Sequence, residues 1–154
     1  MTAPTTNAQH LTVQCQFCQT WNRVDPARAG DRPKCGKCGR PILLDRPYPL
    51  NDESFARTIN ESDIPVMVDF YADWCGPCKM MAPLVDQLAA SYAGRMLVTK
   101  VNTDLAQRVS QQYQIRGIPT TMIFDRGKPV AQQTGALPMQ GLEQLIRKAG
   151  VSAA

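Results

Sequence analysis

The stretch DFYADWCGPCKM, residues 69–80, places two cysteines three positions apart directly after a run of β formers. Cys75 leaves the strand expected over "PVMVDFY" and opens the next helix, where free N–H groups and partial positive charge favour a thiolate. A free thiol titrates near about 8.5, and such a setting lowers that value toward neutrality. Residues at i and i+3 share a helical face with Cβ atoms roughly 5–6 Å apart, within reach of a reversible disulfide. Gly76 lets a substrate backbone approach, and Pro77 suits a first helical turn, which needs no N–H. Cys78 is expected to lie deeper, as the resolving thiol.

Working outward, strands and helices alternate. "NDESFARTI" begins with capping residues and sets Phe55 and Ile59 one turn apart, a short helix. "PVMVDFY" reads as a central strand buried on both faces. Met81, Leu84, Val85, Leu88, Ala89 and Tyr92 recur at three and four residues, an amphipathic helix that Pro83 should kink. "RMLVTKVN" follows as a strand, then "TDLAQRVSQQY" as a helix capped by Thr103 or Asp104, and a hairpin around "DRGK". "MQGLEQLIRKAG" closes the series as a helix ending in basic residues and Gly150. The order α, β, α, β, α, β, β, α implies an α/β fold around one mixed sheet. Asp69 sits within an otherwise apolar strand. Buried, it would have a raised pKa and relay protons for Cys78; on an edge strand it would point to solvent. Lys100, mid-strand, is either its moderating partner or an exposed lysine.

The same spacing occurs twice more, in CQFC (Cys15, Cys18) and CGKC (Cys35, Cys38). Together they form C-x2-C-x16-C-x2-C, the pattern of a four-cysteine zinc site with a closed tetrahedral shell. Arg23, Lys34, Lys37 and Arg40 lie near enough in sequence to offset the charge of four thiolates around Zn2+. Metal binding would also supply folding energy to a segment poor in apolar periodicity. Gly36 and Gly39 suit a tight second knuckle, whereas Gln19 stands where a glycine is expected in the first. A second redox pair is the competing reading, but neither CQFC nor CGKC lies between a strand and a helix. His10 reads as a tail residue and Trp21 as the core of the ribbon. The expected organisation is a flexible tail over 1–10, a zinc ribbon over 11–45, a linker or edge strand over 46–50 and the α/β domain over 51–154.

At 154 residues, 44% hydrophobic and 19% charged, the chain can bury one proper core. Its net charge of +4 is weighted toward residues 1–45, and neither part looks strongly nucleic-acid-like. "MTAPTTNAQHLTVQC" has no basic region followed by an apolar one, and "IPVMVDFYA" is too short to span a bilayer. A cytoplasmic location is expected, where paired cysteines serve metals or catalysis rather than structural disulfides. A secreted scaffold with three disulfides is the alternative.

"VDFYADWCGPCKMMAPLVDQLA", "VNTD", "IRGIPTTMIF", "RGK" and "TGAL", in this order, resemble thioredoxin over about residues 48–150. With the ribbon ahead of it, the chain is similar to the two-domain, zinc-containing bacterial thioredoxins (thioredoxin 2). The resemblance implies a thioredoxin fold preceded by a zinc ribbon, and a protein-disulfide reductase whose lowered CxxC pKa is a known property of the family. It implies that Cys75 attacks a target disulfide and Cys78 releases the product, with Asp69 as buried proton relay and Trp74 as a lid. Pro119 matches the family's cis proline, with Ile118 pairing to an extended substrate segment beside Gly76, Pro77 and Gly135. Tyr71 stands where the family more often has Trp. The implied partners are an NADPH-dependent thioredoxin reductase and disulfide-containing clients. A monomer binding neither membrane nor nucleic acid is expected. The alternative function is a ribbon that recruits clients or RNA to a chaperone or holdase.

Overall fold

The computed structural model describes residues 9–152; the tail expected over 1–10 lies mostly outside the described residues. The chain begins with a two-stranded antiparallel ribbon, β1 (Leu11–Gln14) and β2 (Trp21–Val24). A short 3-10 segment, Pro26–Asp31, and an isolated bridge between Lys34 and Pro41 complete this part. The main sheet comprises β3 (Tyr48–Leu50), β4 (Val66–Tyr71), β5 (Leu97–Asn102), β6 (Thr120–Asp125) and β7 (Lys128–Thr134). Its order is β3-β5-β4-β6-β7, with β3, β5 and β4 parallel and β6 and β7 antiparallel. Four helices connect the strands: α1 (Phe55–Asn60), α2 (Gly76–Ser91), α3 (Gln107–Gln112) and α4 (Met139–Lys148). The Pro-punctuated stretch before α1 thus forms the edge strand β3.

Alternation along β4 divides the interior into two layers. Val66, Val68 and Phe70 face one cluster with Phe55, Ile59 and Phe124, while Met67 faces the other with Met81, Val85, Leu88 and Ile146. The first layer is aromatic: Phe55 meets Phe124 edge-on at 5.7 Å, and Tyr113 meets Phe124 at 5.3 Å. A strand clothed on both sides must be apolar at nearly every position. Asp69 breaks that rule and is therefore informative. The α2 helix continues through Pro83, whose missing N–H leaves the Lys79 carbonyl without its helical donor.

The ribbon is not an appendage with a core of its own. Leu11, Val13, Val24, Ile42 and Leu44 belong to the same buried cluster as Phe55 and Phe70. Trp21, expected in the ribbon's interior, is half-buried under the Arg57 guanidinium of α1, 4.6 Å from its ring centre. His10, expected in the tail, is tied down: its N–H donates to Asp63 Oδ2 at 2.7 Å, and Asp63 N–H donates back to His10 O at 2.8 Å. A segment too small to bury its apolar side chains alone has borrowed the neighbouring layer. Among the described residues no helix is long and apolar enough to cross a membrane.

Because the interior is shared, truncating the ribbon should be felt by the whole chain. Ile42→Ala is expected to cost about 2–4 kcal/mol of global stability. Urea melts followed by tryptophan fluorescence and by far-ultraviolet circular dichroism should shift together; two separate transitions would contradict a common core.

Candidate dithiol site and four-cysteine centre

Cys75 is the N-cap of α2, and its extended backbone (φ −86°, ψ 113°) turns the chain from strand to helix. Its Sγ accepts the Cys78 N–H at 3.2 Å, so the sulfur occupies the place of a capping oxygen. Cys75 and Cys78 form a disulfide with Cα atoms 5.3 Å apart. Gly76 and Pro77 are exposed between them. The two cysteines are equally shielded, each 4% exposed, so accessibility does not separate them. Direction separates them instead. Cys75 Sγ lies 3.8 Å from the Ile118 carbonyl oxygen, and Cys78 lines a cavity of about 210 Å³ with Asp69, Tyr71 and Lys100.

The Ile118–Pro119 peptide bond is cis, and Gly135, at φ 102°, donates its N–H to Pro119 O at 2.8 Å. These residues form the wall opposite the helix. Trp74, 70% exposed, donates its indole N–H to Asp104 Oδ2 at 2.9 Å. Thr103 or Asp104 was expected to cap α3; that helix starts at Gln107 and takes its cap from Asp52, whose Oδ1 accepts Val109 N–H at 2.9 Å, while Thr103 Oγ1 donates to Tyr71 O at 3.2 Å. Sequence spacing gives no sign of the Asp104 and Asp52 contacts, because the partners are 30 and 57 positions apart.

Asp69 is 6% exposed, and its Oδ1 is buried without a hydrogen-bond partner. It lies on central strand β4, directly across from Lys100 of β5, which rules out the edge-strand reading. Burial pushes its pKa up to about 7, against the pull of the Lys100 ammonium and with a further push from Asp86. Lys100 is half-exposed, its Nζ 5.8 Å from the centre of the Tyr71 ring. The cavity thus joins a buried carboxyl that titrates near neutrality to the second sulfur of the dithiol.

The other four sulfurs converge separately. Those of Cys15, Cys18, Cys35 and Cys38 all lie within 4.8 Å of one another, with Cys15–Cys38 at 3.7 Å and Cys18–Cys35 at 3.6 Å. A tetrahedral shell with zinc–sulfur bonds of about 2.3 Å has sulfur–sulfur edges of about 3.8 Å, so the donors fit zinc in number, type and spacing. The two knuckles repeat one geometry. Phe17 N–H and Lys37 N–H point to Cys15 Sγ and Cys35 Sγ at 3.4 Å each, and Gln19 N–H and Gly39 N–H return to the Cys15 and Cys35 carbonyls at 3.0 Å. Gln19 and Gly39 both have left-handed backbones, at φ 61° and 76°. Glycine adopts that conformation freely, whereas a side chain there costs roughly 1–2 kcal/mol. Asn22, which spacing does not single out, joins the two halves: its Nδ2 donates to Cys35 Sγ at 3.4 Å and its Oδ1 accepts Gly36 N–H at 2.9 Å. The Cys38 backbone N–H, the Asn22 side chain and the Lys37 N–H together lower the Cys35 pKa to about 6, whereas at Cys38 the Arg40 backbone N–H is outweighed by burial and the neighbouring sulfurs, which raise it to about 11.

A buried Cys-x-x-Cys disulfide at a helix N-cap, facing a cis proline across one end of a mixed sheet, defines a thiol–disulfide oxidoreductase. Residues 46–148 match the family described as Thioredoxin, and residues 14–40 match that described as Thioredoxin 2, N-terminal. The chain belongs to the thioredoxin family, as a thioredoxin domain preceded by a zinc ribbon of the thioredoxin 2 type, and is a protein-disulfide reductase. It is 36% identical to Thioredoxin C-3 of Corynebacterium nephridii over 136 residues, 88% of this chain and 93% of that protein. It is also 48% identical to Thioredoxin 1 of Nostoc sp. over 99 residues, 64% of this chain and 92% of that one. Among solved structures, a mutant thioredoxin from Halobacterium salinarum superimposes with a TM-score of 0.62 at 30% identity, over 69% of this chain and 93% of that one.

The Asp69 carboxyl makes stability depend on pH in a fixed direction. Unfolded, it ionises near 3.8; folded, near 7. The folded chain therefore holds this proton more tightly, and the stability it lends is complete below the lower value and lost as pH rises through the upper one. The gap is worth roughly 4 kcal/mol at most. In the oxidised protein, Asp69→Asn should raise the unfolding free energy relative to the parent at pH 8.5, with a much smaller gain at pH 4; equal gains at both would remove the buried carboxyl as the cause.

Proposed function

We propose that this chain reduces protein disulfides in the cytoplasm through the Cys75–Cys78 dithiol, and that Cys15, Cys18, Cys35 and Cys38 hold one structural zinc ion. The observation that carries the reading is Cys75 at the head of α2, bonded to Cys78 above a buried carboxyl titrating near neutrality. In the reduced protein the helix N-terminus favours the Cys75 thiolate. The thiolate attacks one sulfur of a client disulfide; that bond breaks, a mixed disulfide forms, and the departing client thiolate takes up a proton. Asp69 then accepts the Cys78 proton through the cavity they share, with Lys100 steadying the carboxylate. The Cys78 thiolate attacks Cys75 Sγ, the mixed disulfide breaks, and the client leaves with two electrons gained. The Cys75–Cys78 disulfide left behind is reduced by an NADPH-dependent thioredoxin reductase, as the family implies.

Substrate is held at the rim. Gly76 and Pro77 offer an exposed backbone without bulky side chains, and Trp74 presents a broad apolar face fixed by Asp104. Ile118, beside Pro119 and Gly135, turns its carbonyl toward Cys75, which supports its pairing with an extended client strand. The four-cysteine centre supplies no step of this chemistry. Zinc there would lock two knuckles whose few apolar side chains cannot fix them unaided.

The two sets of cysteines should separate cleanly on mutation. Cys75→Ser is expected to abolish insulin reduction while one zinc per chain remains, and Cys78→Ser to accumulate a mixed disulfide with insulin, detected by mass. Cys35→Ser should lose the zinc. Insulin turnover persisting in Cys75→Ser would sink the assignment.

A further inference from the structure

The first knuckle meets the open end of the main sheet across a hollow of about 270 Å³. Gln14, Gln16 and Gln19 form its ribbon wall, facing Asn51, Asn102 and Leu105. Tyr71 and Lys100 line both this hollow and the cavity of Asp69 and Cys78, so the two recesses adjoin. A second line of contact leads to the dithiol rim. Trp74, next to Cys75, is held by Asp104, and the following residue, Leu105, is 79% exposed at the hollow's lip. Two large apolar side chains thus stand uncovered between the reactive sulfur and the ribbon.

The chemistry of the walls selects an occupant. Gln14 and Gln19 each spend one Nε2 hydrogen on a knuckle carbonyl, and Asn51 and Asn102 hold local N–H groups with Oδ1. A carboxamide carries two donors and two acceptor sites, so the glutamines keep a donor and an acceptor to complement a peptide N–H and C=O. Among the lining side chains Lys100 is the one cation, and Cys15 brings the thiolate side of the four-cysteine centre to the opposite wall, a balance that suits a neutral polypeptide segment better than a polyanion. Gln19 adds an independent sign. Its backbone adopts the left-handed conformation that Gly39 supplies in the twin knuckle, so a glycine would serve the turn better, and the residue kept there lines the hollow with its Nε2 donating to Gln16 O at 3.4 Å.

We propose that this hollow is an accessory subsite for the extended client segment flanking the disulfide under reduction, making the zinc ribbon part of substrate recognition. The proposal rests on the disulfide-reductase reading above. A client long enough to reach from Cys75 past Leu105 to Gln19 gains contacts that a small disulfide cannot make. Binding should therefore distinguish the two kinds of substrate, while the chemical step does not.

The test is single-turnover oxidation of the reduced, zinc-loaded protein by excess insulin or excess dithiobis-nitrobenzoate, followed by stopped-flow tryptophan fluorescence. Gln19→Gly removes the side chain and suits the turn; the double variant Gln16→Ala with Leu105→Ser attacks the hollow while leaving the left-handed residue at position 19 in place. Zinc content and melting report on folding. In each variant the insulin concentration giving half the maximal rate should rise about three- to tenfold, the loss expected for one or two hydrogen bonds or an apolar anchor. The maximal rate and the small-disulfide kinetics should stay as in the parent. An unchanged half-saturating insulin concentration in both variants overturns the subsite, as does an equal loss with both substrates, which would mean a distorted dithiol. A parent dimer that these substitutions disperse would place a second copy in the hollow and also overturn the client assignment. If the parent oxidises with neither substrate, the reductase reading itself fails and takes the subsite with it.

Discussion

The hydrogen bond from the Cys78 N–H to Cys75 Sγ concentrates what this chain needs in order to work. It exists because β4 ends where α2 begins, leaving unpaired N–H groups beside a sulfur that the turn has just delivered. The same arrangement lays α2 across one face of the sheet, and that covering layer removes Asp69 from water. Thiolate stabilisation and carboxyl destabilisation thus share one origin. Moving the strand end by a residue would change which face Asp69 occupies as well as the position of Cys75.

Six cysteines with one spacing have been given different surroundings. Cys75 and Cys78 lie between a strand and a helix, with a carboxyl and a small cavity behind them. Cys15, Cys18, Cys35 and Cys38 sit on loops whose N–H groups turn back onto the sulfurs, bringing all four to one point. The ribbon that carries them is anchored from beneath by a shared apolar layer and at its margin by Arg57 over Trp21. It is therefore positioned firmly enough to shape a surface next to the dithiol.

The alternation of strands and helices was legible because each segment's period is local, as in Met81, Val85 and Leu88 along α2. The two settings of the cysteines were legible in the residues flanking each pair: Cys75 and Cys78 at the head of a helix, the other four on loops that converge. The unusual residue at the first knuckle could be read too: a glycine was expected at position 19, and Gln19 does adopt a left-handed backbone. Long-range contacts carry no such mark. Nothing near Asp104 or Asp52 in the chain announces that one holds Trp74 and the other caps α3. Nor did composition show that the ribbon's few aliphatic side chains would join the aromatic layer around Phe55, since a sparse apolar pattern does not name its partner.

Surroundings divide six like sulfurs into a bonded pair at a helix N-cap and a quartet that converges on one point. The most direct measurement is a count of reactive thiols on the native, reduced protein alongside its bound metal. One zinc per chain and two promptly reacting thiols, with four more appearing only after unfolding and chelation, is the result expected. Six thiols reacting alike in a folded, metal-free chain would contradict it.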